Sequence, residues 1–198
     1  MKAATKMLSI LALGLLLIQP VVSGAQGTAP APAPASAIAA TKPAMETKDY
    51  GDWRLECRSV KDGKKVCNLF QRIVAEEKEN KKKHMMLEAK AGIFSEEGKD
   101  GKVKSVTRLL LITPLGTLLP AQLTLKLDEE KQVSLPFLVC APEGCLADFV
   151  FEGALLEKIK KGKKLLVAYK RMNSKPITVG VSLNGFSAGL KALAEKKG

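Results

Sequence analysis

From Tyr50 onward, apolar and polar residues alternate with a period of two, and this pattern constrains the fold more than any other feature of the sequence. The alternation is clearest in five segments, residues 53–58, 84–93, 123–128, 133–139 and 177–183. A period of two places one face of a strand in a core and the other in water. Because turn residues separate these segments, the pattern predicts a mainly β protein built as an antiparallel sandwich or barrel.

Three segments depart from the alternation. Ala154–Lys161 has apolar residues at helical spacing and is followed by Gly162, and a second helical pattern begins at Phe186 and includes Leu190 and Leu193. We therefore predict two short amphipathic helices packed on a sheet edge or end. The unbroken apolar run 109–112 predicts a central strand that is covered on both faces.

The N-terminal residues have the chemistry of an export signal. Lys2 and Lys6 precede the apolar run Met7–Ile18, which is too short to span a bilayer, and Ser23-Gly24-Ala25 supplies a small-residue cleavage site. Strict alternation of Ala and Pro over residues 29–35 then favours polyproline II. We predict a signal peptide over 1–25, a disordered Ala/Pro-rich linker over 26–48 and a folded domain over 49–195. The linker is either a tether or a passive spacer.

Four cysteines in an exported chain suggest two disulfides. Between Cys57 and Cys67 lies Lys61-Asp62-Gly63, a three-residue loop with glycine at the left-handed position that such a loop needs. Counting outward from this loop places the two cysteines directly opposite each other. The hairpin register therefore predicts a Cys57–Cys67 disulfide.

The second cysteine pair encloses a shorter loop. Cys140 and Cys145 flank Ala141-Pro142-Glu143-Gly144, which has the composition of a four-residue turn. A Cys140–Cys145 disulfide follows from that turn. Neither spacing matches the repeated C-x2-C of a zinc site or the C-x-x-C of a redox-active pair, so we predict structural bridges and no metal.

Catalytic residues are scarce in this sequence. The chain has one histidine, His84, which follows a run of lysines on a strand face predicted to be solvent-exposed. Gly185-Phe186-Ser187-Ala188-Gly189 matches the G-x-S-x-G nucleophile elbow, in which an acid and a histidine follow the serine, but only nine residues follow Gly189 and none is a histidine. We therefore predict that the protein is not an enzyme and has no catalytic residues, no cofactor and no small-molecule substrate.

The charge is strongly positive, with 32 Lys and Arg against 20 Asp and Glu. Two lysine clusters are the candidate surface for an anionic partner, with Lys170 and Arg171 extending the second of them. These clusters are Lys81, Lys82 and Lys83, and Lys158, Lys160, Lys161, Lys163 and Lys164. The partner would be an anionic membrane surface, a polysaccharide or an envelope protein. Export and few aromatics argue against nucleic acid. The alternative is a solvated face without a partner.

Several short motifs, taken in order, carry a resemblance to a known family. They are W-R-L-E-C at 53–57 with Cys67 and Gln71, P-L-G-T-L-L-P at 114–120, F-L-V-C at 137–140, G-C-L-A at 144–147, Leu155-Leu156 followed by a Lys-Gly pair, and V-S-L-N-G-F at 181–186. Together they resemble the invasion-associated locus B (IalB) family of bacterial exported proteins over residues 50–193.

The resemblance implies an Ig-like β-sandwich, located in the periplasm or at the outer membrane, with no known enzymatic activity. The family cysteines map onto Cys57, Cys67, Cys140 and Cys145. The family name comes from a role in bacterial entry into red blood cells, which implies a contribution to host-cell invasion and virulence. Our leading hypothesis is a non-enzymatic envelope protein that binds an anionic surface or envelope partner. The alternatives are a structural or chaperone-like periplasmic factor for outer-membrane integrity and, more remotely, a serine hydrolase using Ser187.

Overall fold

The computed structural model describes residues 45–60 and 63–196. The predicted signal peptide and most of the predicted linker lie outside these residues. Within them the chain forms strands and two α-helices in the following order: β1 (Met45–Tyr50), β2 (Trp53–Ser59), β3 (Lys65–Glu76), β4 (Lys83–Glu97), β5 (Val103–Thr113), β6 (Leu123–Leu127), β7 (Val133–Leu135), β8 (Phe137–Ala141), β9 (Gly144–Phe151), α1 (Gly153–Lys161), β10 (Lys164–Tyr169), β11 (Ile177–Ser182) and α2 (Phe186–Lys196).

Two antiparallel sheets face each other across one core, so the predicted mainly β sandwich is confirmed. The large sheet has the order β1-β2-β3-β4-β5-β9-β8, and the small sheet has the order β11-β10-β6-β7. Most neighbours in the large sheet are also neighbours in sequence. Local turns and alternating patterns therefore determine most of its register.

Aromatic side chains form the centre of the core. Trp53 is 1% exposed, and its ring centroid lies 5.0 Å from that of Phe186. Phe151 packs edge-on against Phe186 at 6.4 Å, and neither ring is accessible to solvent. Trp53 comes from β2, Phe151 from β9 and Phe186 from α2. This cluster therefore joins the large sheet to the C-terminal helix.

The small sheet covers only part of the large one, and the helices complete the layer. The buried face of α2 contains Phe186, Gly189, Leu190 and Leu193, and the helix packs against β1, β2, β3 and β4. A Cβ atom at Gly189 would lie 2.7 Å from Leu69, so glycine allows the helix to approach the sheet closely. Both predicted helices are confirmed, and α1 ends before Gly162 as expected.

Two expectations are corrected. Residues 45–48 were expected in the linker, but β1 begins at Met45 and pairs along its full length with β2. The side chains of β1 are nearly all exposed, so this strand is held by backbone pairing at the sheet edge rather than by burial. It therefore has no alternating apolar pattern from which it could be predicted. The run 109–112 lies in an interior strand, yet Leu110 and Ile112 are only half-buried. The small sheet covers one face of β5, and the other remains open.

The structure contains the Cys57–Cys67 and Cys140–Cys145 disulfides. In each case the two cysteines are direct cross-strand partners. Gly63 has φ +70°, the left-handed conformation that the first hairpin needs. The second turn is shorter than expected, because Ala141 pairs with Gly144 and leaves a two-residue turn between them.

Candidate functional site

The sandwich has two chemically different ends. At one end, which we call the loop end, lie the β3–β4 hairpin, the loop after β5, the β8–β9 turn and the β10–β11 loop. At the other, the helix end, lie the β4–β5 turn, both helices and the β6–β7 loop. The strand directions and pairings establish this division.

The two predicted lysine clusters lie at opposite ends. Lys83 begins β4 at the loop end, whereas Lys160 lies beside Ile93 at the other end of the same strand. Ten residues of β4 separate Lys83 from Ile93, about 30 Å at strand geometry. The structure therefore does not bring the two clusters together into one basic surface.

The placement of Lys170 and Arg171 is also corrected, because they belong to the loop end and not to the second cluster. They follow Tyr169, whose hydroxyl donates a 2.8 Å hydrogen bond to the Met86 carbonyl, and Met86 is only three residues from Lys83. Burial raises the pKa of that Tyr169 hydroxyl, so it remains a donor. Lys164, at the start of β10, lies about 17 Å away along the strand.

Carboxylates accompany the first cluster. Lys81 lies 3.5 Å from Glu76, and His84 forms a 2.5 Å contact with Glu77. Hydrogen bonds from Asn80 and then from His84 hold the pKa of Glu77 below its ordinary value. His84 is therefore a surface partner of a carboxylate. Among the described residues, Lys82 and Lys83 have no ion pair and remain available to an anionic partner.

The second cluster has a structural role that accounts for part of it. Lys158 pairs with Glu130 at 2.7 Å, and Lys160 pairs with Glu157 at 2.8 Å. Three lysines of the cluster lie in the last turn of α1, where positive charge is favourable to the helix dipole. The backbone N–H groups of Lys163 and Lys164 donate to Asp128. Glutamates thus pair with two of the five lysines of this cluster, and the Asp128 carboxylate lies beside the backbone of two more.

Sequence reasoning missed the apolar side chains at the loop end. Leu115 is 51% exposed and Met172 is 68% exposed. Their loops are held together, because the Leu118 N–H donates to the Lys170 carbonyl at 2.7 Å and the Met172 N–H to the Gly116 carbonyl at 3.3 Å. Basic and apolar groups therefore lie at the same end of the sandwich, and we refer to this set as the loop-end surface: Lys82, Lys83, Leu115, Lys170, Arg171 and Met172. Their positions far apart in sequence gave no signal of this.

Buried threonines shape the loop that carries Leu115. The Thr117 hydroxyl donates to the Pro114 carbonyl at 2.8 Å, and the Thr113 and Thr117 hydroxyls lie 2.9 Å apart. Thr113 also contacts the Cys145 carbonyl at 3.3 Å. The P-L-G-T segment is thereby fixed to the strand that carries the second disulfide, and Leu115 projects from a rigid loop.

Other motif residues form a buried polar anchor. The Gln71 amide donates to the Asp52 carbonyl at 3.0 Å and accepts from the Ser182 N–H at 3.0 Å. The Trp53 indole donates to the Ser182 carbonyl at 2.7 Å. Because these groups connect β2, β3 and β11, the W-R-L-E-C and V-S-L-N-G-F motifs have a structural role.

Ser187 lies near the start of α2 and is exposed in an open groove between the two helices. Described residues lining the groove include Lys160 and Lys191 but no histidine, aspartate or glutamate. His84 pairs with Glu77 at the opposite end of the sandwich. Among the described residues, the groove therefore offers Ser187 no histidine or carboxylate as a general base. The match to G-x-S-x-G reflects a glycine turn before a helix.

We expect Ser187→Ala to change the free energy of unfolding by less than about 1 kcal/mol, the scale of one modest hydrogen bond. The side chain is exposed and caps no buried group, so little is lost. Urea denaturation measures the stability, and a serine-reactive fluorophosphonate probe tests reactivity. Labelling of the parent but not of the variant would contradict this assignment.

Within residues 45–60 and 63–196, no group of three or more His, Cys, Asp or Glu side chains has an arrangement that could hold a metal ion. No helix in that part of the chain is long and apolar enough to cross a membrane.

The fold defines a class of protein: a small β-sandwich with two disulfide bonds. The sequence profile of the family described as "Invasion associated locus B (IalB) protein" matches residues 53–194. The chain therefore belongs to the IalB family, as its motifs indicated.

Curated relatives and a solved structure agree with this assignment. An invasion protein B homolog of Brucella abortus strain 2308 is 30% identical over 159 residues, which cover 78% of this chain and 84% of the relative. Invasion protein B of Bartonella bacilliformis is 27% identical over 168 residues, which cover 78% of this chain and 83% of the relative. The crystal structure of invasion associated protein B from Bartonella henselae matches with a TM-score of 0.59 and 26% identity, covering 77% of this chain and 97% of that one.

Proposed function

We propose that this IalB family member is an exported, non-enzymatic envelope protein that binds an anionic lipid surface through its loop-end surface. It would act in the periplasm or at the outer membrane. The relatives named invasion protein B support a contribution to host-cell entry. The observation that carries the proposal is the exposure of Leu115 and Met172, with Lys170 and Arg171, on two loops that are bonded to each other, at the end of the sandwich where Lys82 and Lys83 also lie.

Basic and apolar groups contribute differently to such binding. Each lysine near an anionic membrane surface contributes about 1 kcal/mol, and salt screens this attraction. Exposed side chains such as Leu115 and Met172 can enter the boundary between headgroups and acyl chains, a contribution that salt does not remove. The helix end also has exposed apolar side chains, Phe94 and Val103, but carboxylates pair with several of its lysines, among them Lys104, Lys158 and Lys160. We therefore place the contact at the loop end.

A free sheet edge favours a second candidate, a protein partner of the envelope. In the described part of the chain, β8 pairs only with β9, and its sequence F-L-V-C-A carries no charge. Leu138 is 62% exposed and Val139 is 54% exposed. Uncharged, exposed edges accept an added strand from another chain. This arrangement suits the chaperone-like or structural role in outer-membrane integrity.

Vesicle binding tests the lipid proposal. We expect Lys82→Gln combined with Lys83→Gln to weaken binding to vesicles containing phosphatidylglycerol by about 2 kcal/mol, roughly thirtyfold, because two charges near the surface are lost. Co-sedimentation at several salt concentrations measures the affinity. Met172→Gln should weaken the binding that persists at high salt.

The matched control is Lys161→Gln combined with Lys163→Gln, which removes the same charge at the helix end. This control should change vesicle binding by less than threefold. An equal loss in both double variants would contradict docking through the loop end, and absence of binding by the parent would contradict the lipid proposal itself.

A further inference from the structure

An open groove at the helix end lies between α1, α2 and the large sheet, outside the loop-end surface. Its volume is about 850 Å³, within the roughly 300–1,000 Å³ typical of small-molecule sites. Ile93, Thr107, Leu156 and Leu190 provide a largely apolar floor.

Small residues on α2 leave this space open. Ser187, Lys191 and Ala194 lie three or four residues apart, so they share the helix face toward the groove. Ala188 and Ala194 present only methyl groups there. On α1, Lys160 lies one turn after Leu156 and forms the opposite wall. The eight residues of α2 from Ser187 to Ala194 give the groove a length of about 10 Å.

The charge on the groove is positive. Lys160 and Lys191 line it, whereas no carboxylate does so among the described residues. Lys160 lies 2.8 Å from Glu157, which is 59% exposed and outside the groove. In the part of the chain described, Lys191 has no ion pair. An apolar floor with ammonium groups on both walls is complementary to a molecule with an apolar chain and an anionic head.

We propose that this groove binds the chain of a fatty acid, with the carboxylate between Lys160 and Lys191 and the alkyl chain along the floor formed by Ile93, Leu156 and Leu190. The hydroxyls of Ser105 and Ser187 also line the groove and can donate hydrogen bonds to the carboxylate. This site is separate from the loop-end surface, so each proposal can fail without the other.

The experiment uses the exported protein and the fluorescent fatty acid 11-(dansylamino)undecanoic acid, followed by displacement with octanoate, decanoate and dodecanoate below their micellar concentrations. We expect saturable binding of the probe. Affinity should rise about fourfold for each added methylene until the groove is filled, as burial of apolar chain predicts. Lack of saturable binding, or binding without dependence on chain length, would overturn the proposal.

Two variants locate the site. Ala194→Trp fills the groove from an exposed position and should weaken probe binding at least tenfold. Lys160→Gln combined with Lys191→Gln should weaken dodecanoate at least tenfold but leave dodecanol nearly unchanged, because only the carboxylate needs the two charges. Lys64→Gln combined with Lys175→Gln is the control, because these exposed lysines belong to neither the groove nor the loop-end surface, and it should leave dodecanoate binding unchanged.

Circular dichroism establishes that each variant is folded. If Ala194→Trp is folded and binds the probe as tightly as the parent, the groove is not the site. Probe affinity that falls as protein concentration rises would show that a second copy covers the groove, and that result would also overturn the proposal.

Discussion

Gly185→Ala is expected to lower the free energy of unfolding by at least about 3 kcal/mol, combining backbone strain with a steric clash. Gly185 has φ +82°, a backbone conformation that residues other than glycine rarely adopt. A Cβ atom there would lie 2.0 Å from the Tyr50 carbonyl oxygen. The contact is with backbone, so rotation of a side chain cannot relieve it. The β1–β2 turn and the start of α2 would have to separate.

Urea denaturation followed by circular dichroism measures this loss. Gly101→Ala is the matched control, because Gly101 also has positive φ, +72°, but nothing lies within 4 Å of its Cβ position. The control should lose only about 1 kcal/mol. Comparable losses in the two variants would show that backbone strain accounts for the whole loss of stability. The close approach of the β1–β2 turn to the start of α2 would then contribute nothing.

Trp53→Ala should cost about 3–5 kcal/mol, the range for truncating a large buried aromatic side chain. The ring is 1% exposed and packs on Phe186, so its removal leaves a cavity at the junction of β2 and α2. The Ser182 carbonyl also loses a 2.7 Å hydrogen bond from the indole. Gln71 still reaches that carbonyl at 3.3 Å, which limits the polar part of the loss.

Trp53→Phe separates packing from hydrogen bonding, since it keeps an aromatic ring but removes the indole N–H. We expect it to lose about half as much stability as Trp53→Ala. Met172→Ala is the control, because this side chain is 68% exposed and should change stability by no more than about 0.5 kcal/mol. Circular dichroism is needed because Trp53 is the only tryptophan. A loss below about 1 kcal/mol in Trp53→Ala would contradict its central place in the core.

Both predictions concern residues of the motifs that identify the family, and both assign those residues a structural role. Gly185 allows the chain to pass beside Tyr50, and Trp53 joins the sheet to the helix. The motifs therefore specify the sandwich more than a reaction. Differences in binding among family members would then arise on the loops and in the groove, where substitutions leave the core intact.

Local patterns in the sequence were sufficient for much of the fold. Alternation predicted the strands, because a half-buried strand must place every second residue in the core. Turn residues between Cys57 and Cys67 predicted their pairing, because loop length determines hairpin register. Both helices followed from apolar spacing. Only local geometry is needed for each of these features, so neighbouring residues encode them.

Other features depended on contacts between distant segments. The position of Met45–Tyr50 as an edge strand follows from backbone pairing, which exposed polar side chains do not signal. The two lysine clusters, similar in composition, lie at opposite ends because β4 spans the molecule between them.

The loop-end surface and the groove are likewise products of the tertiary structure. The loops that carry Leu115 and Met172 are joined by backbone hydrogen bonds, and the groove exists because α1 and α2 lie side by side without filling the space between them. The sequence by itself determined the strands, the helices and the hairpin disulfides, which depend on neighbouring residues. Packing of the two sheets and two helices decided which side chains share a surface, because folding brings together residues that lie far apart in the sequence.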